Sequence, residues 1–261
     1  MGIALITGAS EGIGKELAYL FAKDGHDLVL VARNVDQLNR VATEIEERYQ
    51  RTIHIITQDL SQPDAPRQIR NTCVSLGLQI DYLVNNAGFG LYGPFAEQPL
   101  EDLMQMINLN IKALTALTHY FLPDLLASKS SGILNVGSMA SFVPGPLMAV
   151  YYASKAYTLS FTEALAHELK ESGVKVTALC PGPVKTRFAM RAKMHQSRLT
   201  EKNALDAFTV AKAGYEGLLS GKPVVVPGAV FRSLLFGTRF LPRNWIASSV
   251  MRIQQDRTPL R

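Results

Sequence analysis

Tyr151 and Lys155 stand four residues apart in the run Tyr151-Tyr152-Ala153-Ser154-Lys155, a spacing that places both side chains on one face of a helix, one turn from each other. A phenol held beside an ammonium loses its proton more readily, because the positive charge favours the phenolate. The pair therefore reads as a proton donor and acceptor for use near neutrality, made from a residue whose free pKa is about 10. Ser138 follows a strand-like run from Gly132 to Val136, and its hydroxyl could bind a carbonyl oxygen beside the tyrosine. A tyrosine and a lysine one turn apart also occur on plain solvated helix faces, so the weight rests on what accompanies them.

The elements that must position these residues alternate along the chain. Short apolar runs at Ile3 to Thr7, Leu28 to Ala32, Ile53 to Thr57, Asp81 to Asn85, Ile133 to Gly137, Lys175 to Cys180 and Val224 to Val226 read as strands. Between them lie helical patterns. They run from Gly12 to Asp24, from Val35 to Tyr49, toward Leu76, from Leu100 to about Leu126, through Tyr151 to near Gly173, and from Ala204 to Leu219. Pro123 is expected to kink or interrupt the long one. The alternation predicts the α/β class, a doubly wound parallel sheet covered on both faces. No repeat or linker precedes about Pro227, so the expectation is one domain over 1–227 with a C-terminal extension over 228–261.

Thr7-Gly8-Ala9-Ser10-Glu11-Gly12-Ile13-Gly14 leaves a strand and opens a helix, the setting of a dinucleotide turn, although the spacing is G-x-x-x-G-x-G. Gly8, Gly12 and Gly14 let backbone approach a pyrophosphate, and Ser10, Ile13 and the helix N-terminus offer free N–H groups. The second strand ends Val31-Ala32-Arg33-Asn34 with no carboxylate. NADP(H) is thus favoured over NAD(H), with Arg33 and Asn34 placed to receive a 2′-phosphate. Glu11 opposes that preference, since a carboxylate in the turn repels a nearby phosphate. Asp59-Leu60 ends the third strand, where the aspartate could bond an adenine amino group. Asn85-Asn86-Ala87-Gly88 ends the fourth with two amides and two small residues. All of these lie at carboxyl ends of strands, where open α/β sheets bind their ligands.

With these pieces together, the chain resembles the short-chain dehydrogenase/reductase family from Met1 to about Pro227. The matching segments are the Gly8 turn, Asp59-Leu60, Asn86-Ala87-Gly88, Asn110, Ser138, Tyr151-x-x-x-Lys155 and Pro181-Gly182-Pro183-Val184-Lys185-Thr186. The resemblance implies a Rossmann-type sheet of about seven strands and NAD(P)-linked hydride transfer between a carbonyl and an alcohol. It makes Tyr151 the general acid or base, with Lys155 lowering its pKa and holding the nicotinamide ribose. Ser138 would polarise the substrate oxygen, and Asn110 would support Lys155 through a water. Pro181, Gly182, Val184 and Thr186 would line the nicotinamide end. The family also implies a homodimer or homotetramer. Ala153, Ala156, Ser160 and Ala164 form a small-residue stripe that either packs on the sheet or meets a second subunit.

The remaining features bound the function. A formal net charge of +5 over 261 residues is too weak to argue for nucleic acid. Cys73 and Cys180 sit in apolar runs without metal-ligand spacing and read as buried thiols, so no metal is expected. The N-terminus shows no signal peptide and no apolar run is long enough to span a bilayer, so a cytoplasmic location is expected. Phe89, Leu91, Tyr92, Phe95, the stretch Phe142 to Met148, and Phe188, Met190 and Met194 would surround a small lipophilic carbonyl or alcohol substrate. After Pro227, bulky apolar residues alternate with Arg232, Arg239, Arg243 and Arg252. That composition suits either a strap folded over the substrate cleft or a peripheral contact with an anionic membrane. Besides an NADP(H)-linked carbonyl reductase, the sequence leaves a dinucleotide-sensing regulator and a membrane-peripheral lipid-pathway reductase as readings.

Overall fold

The computed structural model describes residues 2–192 and 204–255. Seven strands, β1 Ile3–Thr7, β2 Asp27–Ala32, β3 Ile53–Thr57, β4 Tyr82–Asn85, β5 Gly132–Val136, β6 Lys175–Leu179 and β7 Val224–Val225, form one sheet in the order β3-β2-β1-β4-β5-β6-β7. Every pairing is parallel. The strands read as unbroken apolar runs because both faces are covered. Ala4, Ile6, Leu28 and Leu30 bury into one layer, and Leu5, Val29 and Val31 into the other, following the period of two along a strand. The first layer is closed by α1 Gly12–Lys23, α2 Val35–Tyr49 and α8 Ala207–Leu219 through Phe21, Ile45 and Leu218. The second is closed by α3 Ala65–Ser75, α5 Leu114–Ala127 and α6 Ala149–Glu168 through Ile69, Phe121 and Leu165. Chain order reverses between β1 and β4, which opens a crevice at their carboxyl ends.

The long helical pattern from Leu100 is irregular, but not where Pro123 led us to expect it. α4 Leu100–Ile107 passes into a π-helical turn at Asn108–Ala113 and then into α5, which continues through Pro123 to Ala127. His119 and Pro123 both lie on the exposed side, so the carbonyl that loses its partner faces water. The wide turn, a common device at functional sites, buries Asn110. Beyond β7 the chain forms α9 Ala229–Thr238 and α10 Arg243–Gln254, separated at Pro242. No helix among the described residues is long and apolar enough to cross a membrane.

A buried polar network ties the sheet to the layer that carries the tyrosine. Asn85 Nδ2 donates to Asn135 Oδ1 at 2.9 Å and Thr118 Oγ1 at 3.1 Å, and Asn135 Nδ2 donates to Thr162 Oγ1 at 2.9 Å. Asn85, expected beside a cofactor, is thus committed to joining β4 and β5 to α5. Asn135 is completely buried, so Asn135→Ala strands polar atoms with no water to replace the lost partners. We expect roughly 1–3 kcal/mol of lost stability for each atom so stranded. Thermal unfolding should show a midpoint about 2–4 °C lower per kcal/mol, and an unshifted midpoint would contradict the role given to the network.

Candidate active site

The buried face of α6 carries Tyr151, Ser154, Lys155, Thr158, Leu159, Thr162 and Leu165, the pattern of one helical stripe. Its outer face carries Ala153, Ala156, Ser160 and Ala164, all exposed, so the small-residue stripe does not pack on the sheet. Tyr151 and Lys155 therefore enter the protein together at the ends of β5 and β6. Ser138 meets them from the loop after β5. It caps a short turn over Met139–Phe142, with its Oγ accepting from Ala140 N at 3.1 Å and its own N–H donating to Ser141 Oγ at 3.3 Å. So held, the Ser138 hydroxyl stands close enough to the Tyr151 phenol to favour its ionised form.

Burial acts on the tyrosine and the lysine in opposite directions, because in each case it disfavours the charged form. It pushes the Tyr151 phenol well above its ordinary range, while Ser138 beside it pulls it back. It lowers the Lys155 amine to about 8. The expected acidification of the phenol by its neighbour does not appear. The geometry gives the reason: Lys155 Nζ lies 5.9 Å from the centre of the Tyr151 ring and donates to the Val136 carbonyl at 2.7 Å. Behind the serine sits Cys180, whose thiol burial pushes up to about 12, keeping it a neutral packing group.

Asn110, delivered by the π turn, does not touch Lys155 directly. Its Oδ1 accepts from Phe89 N at 3.2 Å, and its Nδ2 donates to Phe89 O and to Ser154 Oγ, each at 3.0 Å. A side chain built on Gly88 would place its Cβ 3.1 Å from Asn110 Oδ1 and 3.4 Å from Lys155 Nζ. Amide and amine therefore border one point that only a glycine leaves open.

The glycine turn lies across the crevice. Gly8 and Gly12 have φ of +65° and +58°, and a Cβ on Gly14 would fall 2.3 Å from the Gly8 carbonyl oxygen. Thr7 and Asn86 lock this turn to β4. Thr7 Oγ1 accepts from the N–H groups of Asn86 and Ala87 at 2.9 and 3.0 Å, and Asn86 Nδ2 donates to Thr7 O at 2.9 Å. Glu11 precedes α1 without capping it through its side chain, leaving that helix end available to an anionic ligand. Ser10 and Ile13 border the same turn, half-buried. Glu11 has a neighbour that the sequence did not reveal, Arg187 Nη1 at 3.8 Å, which offsets the repulsion expected of it. Arg33 is exposed at the end of β2, 3.8 Å from Asp59 Oδ2, a loose pair of little strength. Asp59 Oδ1 accepts from the N–H and hydroxyl of Ser61, Leu60 is buried, and Asn34 Oδ1 caps α2 through Gln37 N. Thr186 faces Gly12, since a Cβ there would lie 3.2 Å from its methyl. Val184 bridges to Leu205, Pro181 O accepts from Met139 N at 2.9 Å, and Gly182 lies directly under the Phe231 ring. These residues fit a dinucleotide: two positive-φ glycines, an uncapped helix end and a cation at the ribose end.

Around Tyr151 pack Phe89, Leu91, Tyr92, Met148 and Phe188, the last with ring centres 5.4 Å apart, so the start of α7 Phe188–Arg191 covers the phenol. Phe95 and Met190 instead point to solvent, Phe142 packs against Leu159 and Cys180, and Met194 lies outside the described residues. An apolar cleft of about 520 Å³ lined by Phe142, Pro144, Tyr152, Ala153, Ala156 and Arg243 runs beside this centre, not into it. The C-terminal extension straps across the region. Gln254, fully buried, donates from Nε2 to Tyr152 Oη at 2.6 Å, and its carbonyl accepts from Tyr92 Oη. Phe231, Gln254 and Leu205 had no signal in the sequence, because their partners are distant along the chain.

A buried amine with a lowered pKa makes a testable contribution to stability. Between about 8 and its unfolded value of 10.5, Lys155 holds its proton in the unfolded chain and loses it in the folded one, so this contribution to stability rises with pH across that window. Below pH 8 the charged form is buried and the penalty is complete. Lys155→Met should therefore unfold at a higher temperature than wild type at pH 7, with the gap closing as pH rises toward 10. Thermal denaturation at several pH values reads this, and a gap independent of pH would show that the amine is not strained by burial.

Four similarities bear on the site. The model of the short chain dehydrogenase family matches residues 2–197. The very-long-chain 3-oxoacyl-CoA reductase of Mus musculus is 35% identical over 247 residues, covering 93% of this chain and 76% of that protein. Among curated reductases of that name the chain spans 52–80% of their length. In structure, a short-chain dehydrogenase from Sphingobium yanoikuyae in complex with NADPH superposes with a TM-score of 0.82 at 30% identity, covering 100% of this chain and 98% of that one. The bulky-bulky ketone specific alcohol dehydrogenase from Comamonas testosteroni follows at 0.78 and 28%, covering 100% and 97%. With the family model spanning most of its length and the sheet order, glycine turn and Tyr151-Lys155 face in place, the chain belongs to the short-chain dehydrogenase/reductase family.

Proposed function

We propose that the protein is an NADP(H)-dependent carbonyl reductase acting on a lipophilic ketone or 3-oxoacyl-type substrate. The observation that carries this reading is that Tyr151 and Lys155 share one buried helix face, with Lys155 Nζ 5.9 Å from the centre of the Tyr151 ring and Ser138 fixed beside them by its own turn. A bound reduced nicotinamide supplies the hydride. As charge develops on the carbonyl oxygen, the Ser138 and Tyr151 hydroxyls donate to it and Tyr151 transfers its proton, leaving an alcohol. A phenol kept neutral by burial holds that proton at neutral pH. The resulting phenolate is stabilised by the Lys155 ammonium, and the point bordered by Asn110 and Lys155 is where a water returns the proton.

The apolar surround of Phe89, Leu91, Tyr92 and Met148 supports a lipophilic substrate, as does the likeness to 3-oxoacyl-CoA reductases and to an alcohol dehydrogenase specific for bulky-bulky ketones. The phosphate preference rests on Arg33, loosely paired and open to an anion, and on the NADPH in a structural neighbour. The exposed small residues of α6 suit close approach of a second copy in a homo-oligomer.

Tyr151→Phe should lower kcat by about 10²–10⁴-fold while leaving cofactor affinity unchanged, measured by turnover on a panel of aliphatic, aromatic and acyl-thioester ketones beside fluorescence titration of the reduced cofactor. Turnover kept in the variant would remove the tyrosine from the chemistry, and a wild type inert on the whole panel would favour a dinucleotide-binding regulator. Arg33→Asp should move preference from NADPH to NADH, seen in kcat/KM for each; an unmoved ratio would take the phosphate-binding role away from Arg33.

A further inference from the structure

Seventeen large apolar side chains are exposed among the described residues, and seven of them fall between Val230 and Ile253. Phe240 is 73% exposed, Val230 74% and Trp245 66%. Poor docking of the segment does not account for this, since the same helices turn Phe231 onto Gly182 and Gln254 into the space beside Tyr152. The orientation is fixed and the apolar face points outward. On α10 the inward positions are Ala247, Val250, Met251 and Gln254, while Trp245, Arg252 and Ile253 face solvent.

The charge on this face is of one sign. Arg232, Arg239, Arg243 and Arg252 are exposed, and no aspartate or glutamate occurs from Gly217 through Gln255. A second copy placed symmetrically on the patch would set arginines against arginines with no carboxylate from the segment between them. An anionic surface would not. The helices have 10 and 12 residues and break at Pro242, too short to span a bilayer but suited to lying in its headgroup layer. Aromatic rings beside arginines are the side chains that layer accommodates.

We propose that α9 and α10 form an interfacial docking surface for a bilayer rich in anionic headgroups. The apolar cleft lined by Tyr152 and Arg243, beside which Gln254 of the same α10 is fastened, then lies close to the membrane surface. The inference goes beyond the reductase reading and does not require it.

Trp245 is the sole tryptophan in the chain, so its emission reports on the patch alone. Vesicles of phosphatidylcholine with phosphatidylglycerol should shift Trp245 emission to the blue and carry the full chain upward in a density gradient, an effect weakened by added salt. Phosphatidylcholine alone should do neither. The triple change Arg232→Gln, Arg239→Gln, Arg252→Gln should lower partitioning on the order of 100-fold, at roughly five-fold per arginine. Phe236→Ser with Phe240→Ser should abolish flotation, while Val74→Ser with Leu76→Ser, exposed apolar residues elsewhere, should not. Emission unmoved by anionic vesicles, or arginine variants that float like wild type, would overturn the proposal. So would patch variants that only turn a dimer into a monomer in light scattering, since a second copy would then be the occupant. Flotation is read without turnover, so a chain that binds vesicles but reduces nothing separates this inference from the catalytic one.

Discussion

Lys155 brings an amine into a part of the protein where the Val136 carbonyl is its hydrogen-bond acceptor, and the surrounding architecture follows from accommodating it. Burial that lowers the amine also raises the phenol of Tyr151, so at rest both groups are drawn toward their neutral forms. A neutral phenol is a proton held in reserve. The neighbours serve that state: Ser138 is fixed by its own turn, Cys180 is kept as a thiol, and Asn110 is clamped to the Phe89 backbone. Strain of this kind is expected where stability is exchanged for chemistry.

The second constraint is backbone crowding at the switch point between β1 and β4. Gly14 touches the Gly8 carbonyl so closely that no side chain fits, and the Asn86 amide occupies the remaining space. Thr7 and Asn86 thus make the glycine turn rigid from below, leaving its upper side and the end of α1 open. Rigid backbone donors reorganise little when an anion arrives, which is why such turns recur at phosphate sites.

The C-terminal helices join two roles in one element. Their inward side fastens Tyr92, Tyr152 and the Gly182 loop, and their outward side is apolar and basic. A strap of this construction ties the surroundings of Tyr92 and Tyr152 to whatever the outer face contacts.

The order of strands and helices, the glycine turn, and the Ser138, Tyr151 and Lys155 set were legible from the sequence, because period, turn chemistry and spacing are local properties. The joint position of Tyr151 and Lys155 on one helix face followed from them, whereas the strand order was set only by the fold. Other features depended on groups meeting through space. The irregular turn fell at Asn108–Ala113 instead of Pro123 because packing of Asn110 against Phe89 and Ser154 fixes it. The phenol shift runs upward because burial, invisible to spacing, dominates it. The strap of Gln254 joins residues 102 and 162 positions away, and the exposure of the α6 stripe depends on which face the sheet covers. Periodicity is written along the chain; burial and long-range partnership exist only once the chain has folded.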